Sequence, residues 1–241
     1  MTIQAIIFDV DGTLADTEEG HRWSFNQAFA ECGLNWTWDV ALYDKLLKVT
    51  GGKERIWYFV ENFLPGYEKP VDCDSFVKHL HELKTRHYIA MLRSGQITLR
   101  PGIRQLITDA RDGGIRLAIA TTTTLENVTA LLQQGLGEDG ERWFEVIGCG
   151  DIVPHKKPAP DIYLWVLERL NLPAASCIAL EDSENGLSSS LAAGIKTFIT
   201  SNRYTLKQNF SGAAAVFDNL DDMGKFYLIT ELPLPKRQIS V

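Results

Sequence analysis

The sequence predicts an α/β fold, a doubly wound parallel sheet with an all-helical domain inserted after its first strand. From Arg100-Pro101-Gly102 onward, short apolar runs alternate with helical stripes. Such alternation builds a parallel sheet wrapped by helices on both faces. Between Thr17 and Gly95 the pattern is helical and strands are scarce. A lone apolar run, Ala5-Ile6-Ile7-Phe8, precedes that stretch and reads as the first strand of the same sheet. The expected division is therefore 1–16 with 96–230 for the sheet domain, 17–95 for the helical insertion, and 231–241 for a tail.

Taken in order, a helix is expected over Arg22 to Glu31, with Gly33 as its stop. Asp39 to Lys48 and Glu54 to Phe63 carry further helical stripes, the second broken by Pro65-Gly66. Asp74 is expected to cap a long helix bearing Phe76, Val77, Leu80, Leu83, Tyr88, Met91 and Leu92 on one stripe. The aromatic residues here read as packing within a small bundle. Beyond Gly102 the elements alternate: helix Ile103 to Arg111, strand Leu117 to Ala120, a helix near Asn127 to Gln134, and a strand near Val146-Ile147. Helix Asp161 to Leu170, strand Cys177 to Leu180, helix Leu187 to Ala193 and strand Thr197 to Ile199 follow, with a last short strand at Ala214 to Phe217. The Pro-containing tail from Leu232 reads as loosely held.

Composition narrows the function. The chain has 241 residues, 45% hydrophobic and 23% charged, enough for a full core. A net charge of −7 argues against a nucleic-acid surface, which needs a basic excess. No run approaches the roughly 18 apolar residues of a membrane helix, so no membrane partner is expected. No targeting pattern precedes the first strand, so a cytoplasmic location is expected, or the plastid stroma after loss of a transit peptide. A monomer is expected. Cys32, Cys73, Cys149 and Cys177 show no paired spacing, which suits neither a zinc site nor a disulfide framework. Each reads as a small buried hydrophobe.

The chemistry gathers where strands end. Alternation puts Asp9 and Asp11 on one side of the first strand's end, about 6–7 Å apart, and Gly12 turns the backbone away. Two such carboxylates repel unless a cation, proton or reacting group lies between them. They suit a hard divalent metal, with one acid left free to attack. Ligands of open parallel sheets bind beyond the carboxyl ends of the strands. There, Thr121-Thr122-Thr123-Thr124 offers hydroxyl and N–H groups to a phosphate, or merely a helix cap. Glu181-Asp182-Ser183 offers a second acidic pair, or again a helix cap. Lys157, followed by Pro158, could hold an ammonium against phosphate, or sit on a solvated turn. In the insertion, Lys45, Lys48, Lys53 and Arg55 form a basic cluster around Gly51-Gly52. That loop could clamp a second, non-reacting phosphate.

Together these residues resemble the haloacid-dehalogenase (HAD) superfamily, matching its four signatures in order: Asp9-Val10-Asp11-Gly12-Thr13, Thr121, Lys157-Pro158 and Glu181-Asp182. The spacing is similar to the beta-phosphoglucomutase-like subgroup, in which an all-helical cap is inserted into a Rossmannoid core. Asp16 to Arg22, Thr50 to Ile56 and Ala120 to Thr123 further resemble CbbY-type phosphatases. Those remove the 1-phosphate of xylulose 1,5-bisphosphate, an inhibitor of Rubisco. The resemblance implies a Mg2+-dependent sugar-phosphate phosphatase working through an aspartyl-phosphate. It implies Asp9 as nucleophile, Asp11 as acid and base, and Thr121 and Lys157 as phosphoryl binders. The metal set it implies is Asp9, Asp11 through its carbonyl, Asp182, and Glu181 nearby. Thr17, Glu18, His21, Arg22, Gly52, Lys53, Arg55, Thr122 and Thr123 are the implied substrate contacts. For His21, orienting Asp11 is an equal alternative.

Two rivals use the same residues. A sugar-phosphate mutase would return the phosphoryl to substrate instead of water. A non-catalytic binding module could retain the fold, although Asp9, Asp11, Lys157 and Asp182 together argue against it. Dehalogenation needs no acid at Asp11.

Overall fold

The computed structural model describes residues 2–230 and 232. Strands β1 (Ala5–Phe8), β2 (Arg116–Ala120), β3 (Val146–Gly148), β4 (Cys177–Glu181), β5 (Lys196–Thr200) and β6 (Ala215–Phe217) form one parallel sheet in the order β3-β2-β1-β4-β5-β6. Helices α1 (Glu18–Glu31), α2 (Val40–Leu46), α3 (Gly52–Phe63) and α4 (Cys73–Arg93) lie between β1 and β2 in the chain. Helices α5 (Ile103–Asp112), α6 (Leu125–Leu136), α7 (Asp161–Leu170), α8 (Glu184–Ala192) and α9 (Met223–Thr230) alternate with or follow the later strands.

The continuous apolar runs conceal a period of two, because a doubly covered strand buries both faces. Ile6, Phe8, Leu117, Ile119, Ile178 and Leu180 join one apolar cluster with residues of α5, α6 and α9. Ala5, Ile7, Ala118, Ala120 and Ala179 join another, against Ile162, Tyr163 and Val166 of α7. Alanine dominates that second face, so α7 packs close to the sheet. In register, Phe8 pairs with Ile119 on one side and Leu180 on the other. The next residue along, Asp9, therefore emerges beside Glu181.

The helices between β1 and β2 have a core of their own, in which Phe25, Phe29, Trp38, Tyr43, Ile56 and Phe59 pack together. Helix α4 serves both cores. Val77 and Leu80 belong to the aromatic cluster, whereas Tyr88 and Leu92, further along, belong to the cluster under the sheet.

Several expectations need correction. Helix α1 starts at Glu18 and α8 at Glu184, earlier than the apolar residues alone suggested. In α8 the Ser183 side chain caps the helix, accepting from Gly186 N. The cap of α4 is Asp72, which accepts from Ser75 N, and Asp74 lies inside the first turn. Of the four cysteines only Cys177 is buried; the others are half-buried. Leu232, read as the start of a loose tail, is buried against the sheet cluster. The rest of that tail, 231 and 233–241, lies outside the described residues. Among the described residues, no helix is long and apolar enough to cross a membrane.

Candidate active site

Strand β1 ends by delivering Asp9 into a buried acidic cluster. Oxygens of Asp9, Glu181 and Asp182, all three residues buried, lie within 4.8 Å of one another. Lys157 reaches in from the loop before α7, its Nζ 2.7 Å from Asp9 Oδ1 and 2.5 Å from Glu181 Oε1. Tyr163 donates to the same Glu181 oxygen at 2.7 Å, and Thr13 donates to Asp9 Oδ2 at 3.2 Å. Asn202, just past β5, donates to Asp182 Oδ2 at 2.7 Å. Gly12 makes this compactness possible. It adopts φ +84°, and a Cβ there would meet Asp182 Oδ2 at 2.2 Å.

Asp9 and Glu181 share the Lys157 ammonium, with Asp182 crowded beside them. Burial pushes the Asp9 carboxyl up to about 8 although Lys157 opposes it, and Glu181 adds to the rise. Burial, then the Asp9 and Glu181 charges, holds Asp182 well above the usual carboxylate range. Lys157 stays charged: burial works against it, but Asp9 and Glu181 outweigh burial and raise it. An uncompensated buried negative charge favours either a proton or a cation. An all-oxygen set of this kind fits a hard divalent ion. Asp182 is the freest of the three, its side chain bonded among the described residues only by Asn202, whereas Lys157 engages both Asp9 and Glu181.

Asp11 faces the other way. Its Oδ1 lies 2.8 Å from His21 Nε2, and His21 Nδ1 lies 2.7 Å from Lys84 Nζ. An ammonium has only donors, so His21 accepts at Nδ1 and donates through Nε2 to Asp11. Burial and the Lys84 charge lower His21 and keep the ring neutral. Burial works to raise Asp11, but His21 and then Lys84 outweigh it and hold the carboxylate well below its usual range. Lys84 itself is brought down to about 8, chiefly by burial. It lies 4.9 Å from the Tyr88 ring centroid, and Tyr88 in turn stacks on His21 at 4.0 Å. The picture of a metal held between the Asp9 and Asp11 side chains is therefore corrected: the Asp11 carboxylate belongs to the histidine.

A cavity of about 910 Å³ separates these groups. Asp9, Asp11, Lys157, Asp182 and Thr121 to Thr123 line it from the sheet side. Glu18, His21, Gly52 and Arg55 line it from the inserted helices. Arg55 Nη1 donates to Tyr43 OH at 3.1 Å, Tyr43 donates to Glu18 at 2.9 Å, and Arg55 Nε is buried with no partner among the described residues. Thr121 is buried, and its hydroxyl accepts from Thr123 N at 3.3 Å.

Three of the expected substrate contacts lie elsewhere. Thr17 is fully buried behind Asp11 and does not line the cavity. Arg22 is committed to Glu19 at 2.8 Å and Trp38 O at 2.9 Å. Lys53 reaches Asp151 at 2.5 Å.

Sequence reasoning missed Lys84, Asn202 and Arg100. Lys84 stands four residues from both Leu80 and Tyr88, a lysine on the apolar stripe of its helix, and that spacing is a usable signal. Asn202 follows a strand end in a parallel sheet, where ligand-facing residues gather. Arg100 is a buried hub. It donates to the carbonyls of Gly12 (2.5 Å), Thr200 (2.8 Å), Ser201 (2.5 Å) and Asp218 (2.8 Å), and so ties the catalytic turn to the ends of β5 and β6. No pattern in the sequence marks it.

A family model described as haloacid dehalogenase-like hydrolase matches residues 3–194. Protein CbbY of Cupriavidus necator is 49% identical over 220 residues, covering 91% of this chain and 87% of that protein. Phosphorylated carbohydrates phosphatase of Thermotoga maritima is 31% identical, over 80% of this chain and 83% of its own. Crystal structures of CbbY from Rhodobacter sphaeroides superpose with a TM-score of 0.87 at 44% identity, over 92% of this chain and 97% of theirs. One of them holds phosphate, and another, a mutant, holds xylulose 1,5-bisphosphate.

Proposed function

The chain belongs to the haloacid dehalogenase-like hydrolase family and is a phosphatase, and from that premise we propose that it removes the 1-phosphate of xylulose 1,5-bisphosphate with Mg2+ as cofactor, clearing an inhibitor of Rubisco. The observation that carries this reading is that the cavity is lined on two sides by groups that suit phosphate. On the sheet side Asp9 and Lys157 are in contact at 2.7 Å, and on the side of the inserted helices the guanidinium of Arg55 keeps a buried donor with no partner among the described residues. A sugar with a phosphate at each end matches both. The complex of the Rhodobacter sphaeroides protein supports the same choice.

In this reading Asp9 attacks phosphorus. The new Asp9–phosphorus bond forms as the bond to the sugar oxygen breaks, dividing one hard displacement into two easier ones. Asp11, protonated on entry to the step, gives that loosely held proton to the departing sugar oxygen and takes one back from the water that attacks the aspartyl-phosphate. His21 and Lys84 set the proton affinity of Asp11 for both steps. Thr121 and the N–H groups after it hold phosphoryl oxygens, and Lys157 supplies fixed positive charge. Mg2+, held by Asp9 and Asp182 with Glu181 behind them and the Asp11 carbonyl completing the set, would neutralise charge on the transferring group.

The test is phosphate release with Mg2+ over a panel of mono- and bisphosphorylated sugars, with the sugar products identified. Preferential release from xylulose 1,5-bisphosphate upholds the proposal. An isomerised sugar phosphate without free phosphate would make the protein a mutase, and no turnover of any ester would make it a binding module.

A further inference from the structure

Tyr163 does not line the cavity, yet it is hydrogen-bonded to a group that holds Lys157. It lies in the first turn of α7 and is fully buried. With Ile162 and Val166 it packs on the alanine-rich face of the sheet, and that close approach brings its hydroxyl to Glu181 at the end of β4. There it donates to Glu181 Oε1 at 2.7 Å, the same oxygen that Lys157 Nζ reaches at 2.5 Å. The Lys157 ammonium also stands 5.1 Å from the centroid of the Tyr163 ring.

Glu181 is held from several directions. Its Oε2 accepts from Asp182 N at 3.2 Å, and its carboxylate lies so close to the first turn of α8 that no room remains for a Cβ on Gly186. The last torsion of a glutamate is broad, so the orientation of this carboxylate comes from its partners. Lys157 has three donors. Two go to Asp9 and Glu181, and the ammonium borders the cavity. Bond formation to phosphorus removes the carboxylate charge from Asp9. Among the described residues, Glu181 is then the one carboxylate that still holds the ammonium.

Resting on the roles given above to Asp9 and Lys157, and not on the identity of the sugar, we infer that Tyr163 is a positioning residue. Its hydroxyl fixes the Glu181 carboxylate, and through it aims the Lys157 ammonium at the transferring phosphoryl. It does so without touching substrate.

The experiment compares wild type, Y163F and K157M on xylulose 1,5-bisphosphate and on p-nitrophenyl phosphate, with Mg2+ present and rates taken per folded protein. Y163F keeps the ring and removes the hydroxyl alone. Misaiming one charged donor predicts that Y163F lowers kcat about tenfold or more on both esters while KM stays within about twofold. The inhibition constant for orthovanadate, which takes the five-coordinate geometry of the transferring phosphorus, rises in step with the loss of kcat. Unchanged kcat with a lower Tm would make the hydroxyl structural and overturn the inference. So would a loss that further Mg2+ restores, because Tyr163 would then act on the metal instead of the lysine. If K157M slows turnover and Y163F does not, the inference alone falls. If K157M turns over as fast as wild type, the role given to Lys157 falls first and takes the inference with it.

Discussion

Lys53 on the inserted helix α3 closes on Asp151 in the loop after β3 at 2.5 Å, a contact that spans the two halves of the molecule. Lys156 completes a strap, 2.9 Å from Asp151 and 2.7 Å from Glu54 on α3. Single exposed ion pairs are worth roughly 0–1 kcal/mol, but this one is a network that ties α3 to the loop after β3. Lys53 and Lys156, each bonded to it, hold the Asp151 carboxyl down to about 2. Asp151→Asn is expected to raise KM about two- to fivefold and to flatten the dependence of KM on salt, because screening acts on the charges it removes. Measuring KM across a potassium chloride series checks this. A variant that kept the wild-type salt slope would show that the strap does not hold the cavity closed.

Asp9→Asn is expected to abolish phosphate release while leaving the fold intact. Asparagine cannot form the acyl phosphate, yet it fills the same space and removes one of three crowded carboxyl groups. Circular dichroism with a sensitive phosphate assay tests both halves, and measurable turnover by pure variant would refute Asp9 as nucleophile.

Stability should depend on pH in a direction set by the same aspartate. Folding raises the Asp9 carboxyl from its ordinary 3.8 to about 8, so the folded state binds the proton more tightly than the unfolded. Its contribution is therefore present below about pH 4 and is lost as pH rises towards 8. In metal-free protein Tm is expected to fall across that window, more for wild type than for Asp9→Asn. Added magnesium should restore most at the alkaline end, and chelation should reverse it. Parallel Tm–pH curves for the two proteins would contradict this.

The acid–base chain makes a separate prediction. Lys84→Met keeps the volume and removes the charge behind His21, so kcat is expected to fall on the order of 10²-fold with KM little changed. Lys84 is brought down to about 8, so wild-type kcat should decline above that pH as the ammonium is lost. The variant should lack that limb. A retained alkaline limb in Lys84→Met would assign it to another group.

Arg55→Ala is expected to raise KM for bisphosphates far more than for monophosphates, because its buried guanidinium nitrogen, without a partner among the described residues, belongs to the inserted helices that line the cavity opposite the sheet-side acids. Steady-state kinetics on both substrate classes decide it. Equal effects would remove this arginine from recognition of the second phosphate.

The strand-end acids, Lys157 and the threonine run were legible because each follows an apolar run at the carboxyl edge of one sheet, where topology gathers side chains. The element types were legible for the same reason, since period two and period 3.6 differ. Helix starts were not, because Glu18 and Glu184 begin their helices with polar turns that carry no apolar stripe. Asp11 was found, and His21 as its partner was one of two even readings, but Lys84 behind that histidine was not seen. Nothing local to Asp11 announces a lysine 73 positions away, acting through a histidine. Arg22 was expected as a ligand contact from the resemblance and Lys53 from its place in a basic cluster, and their carboxylate partners Glu19 and Asp151 are visible only in three dimensions.

Because one rod, α4, is anchored in both apolar clusters and carries Lys84 between them, recognition and proton handling are inherited as a unit. A chimera that exchanges the segment between β1 and β2 would import its own histidine–lysine pair and borrow only the aspartate from its host. Splice points are best set beyond Arg93, since a junction within the rod would cut its foothold under the sheet. Shuffling these segments among homologues should therefore change sugar preference and optimum pH together.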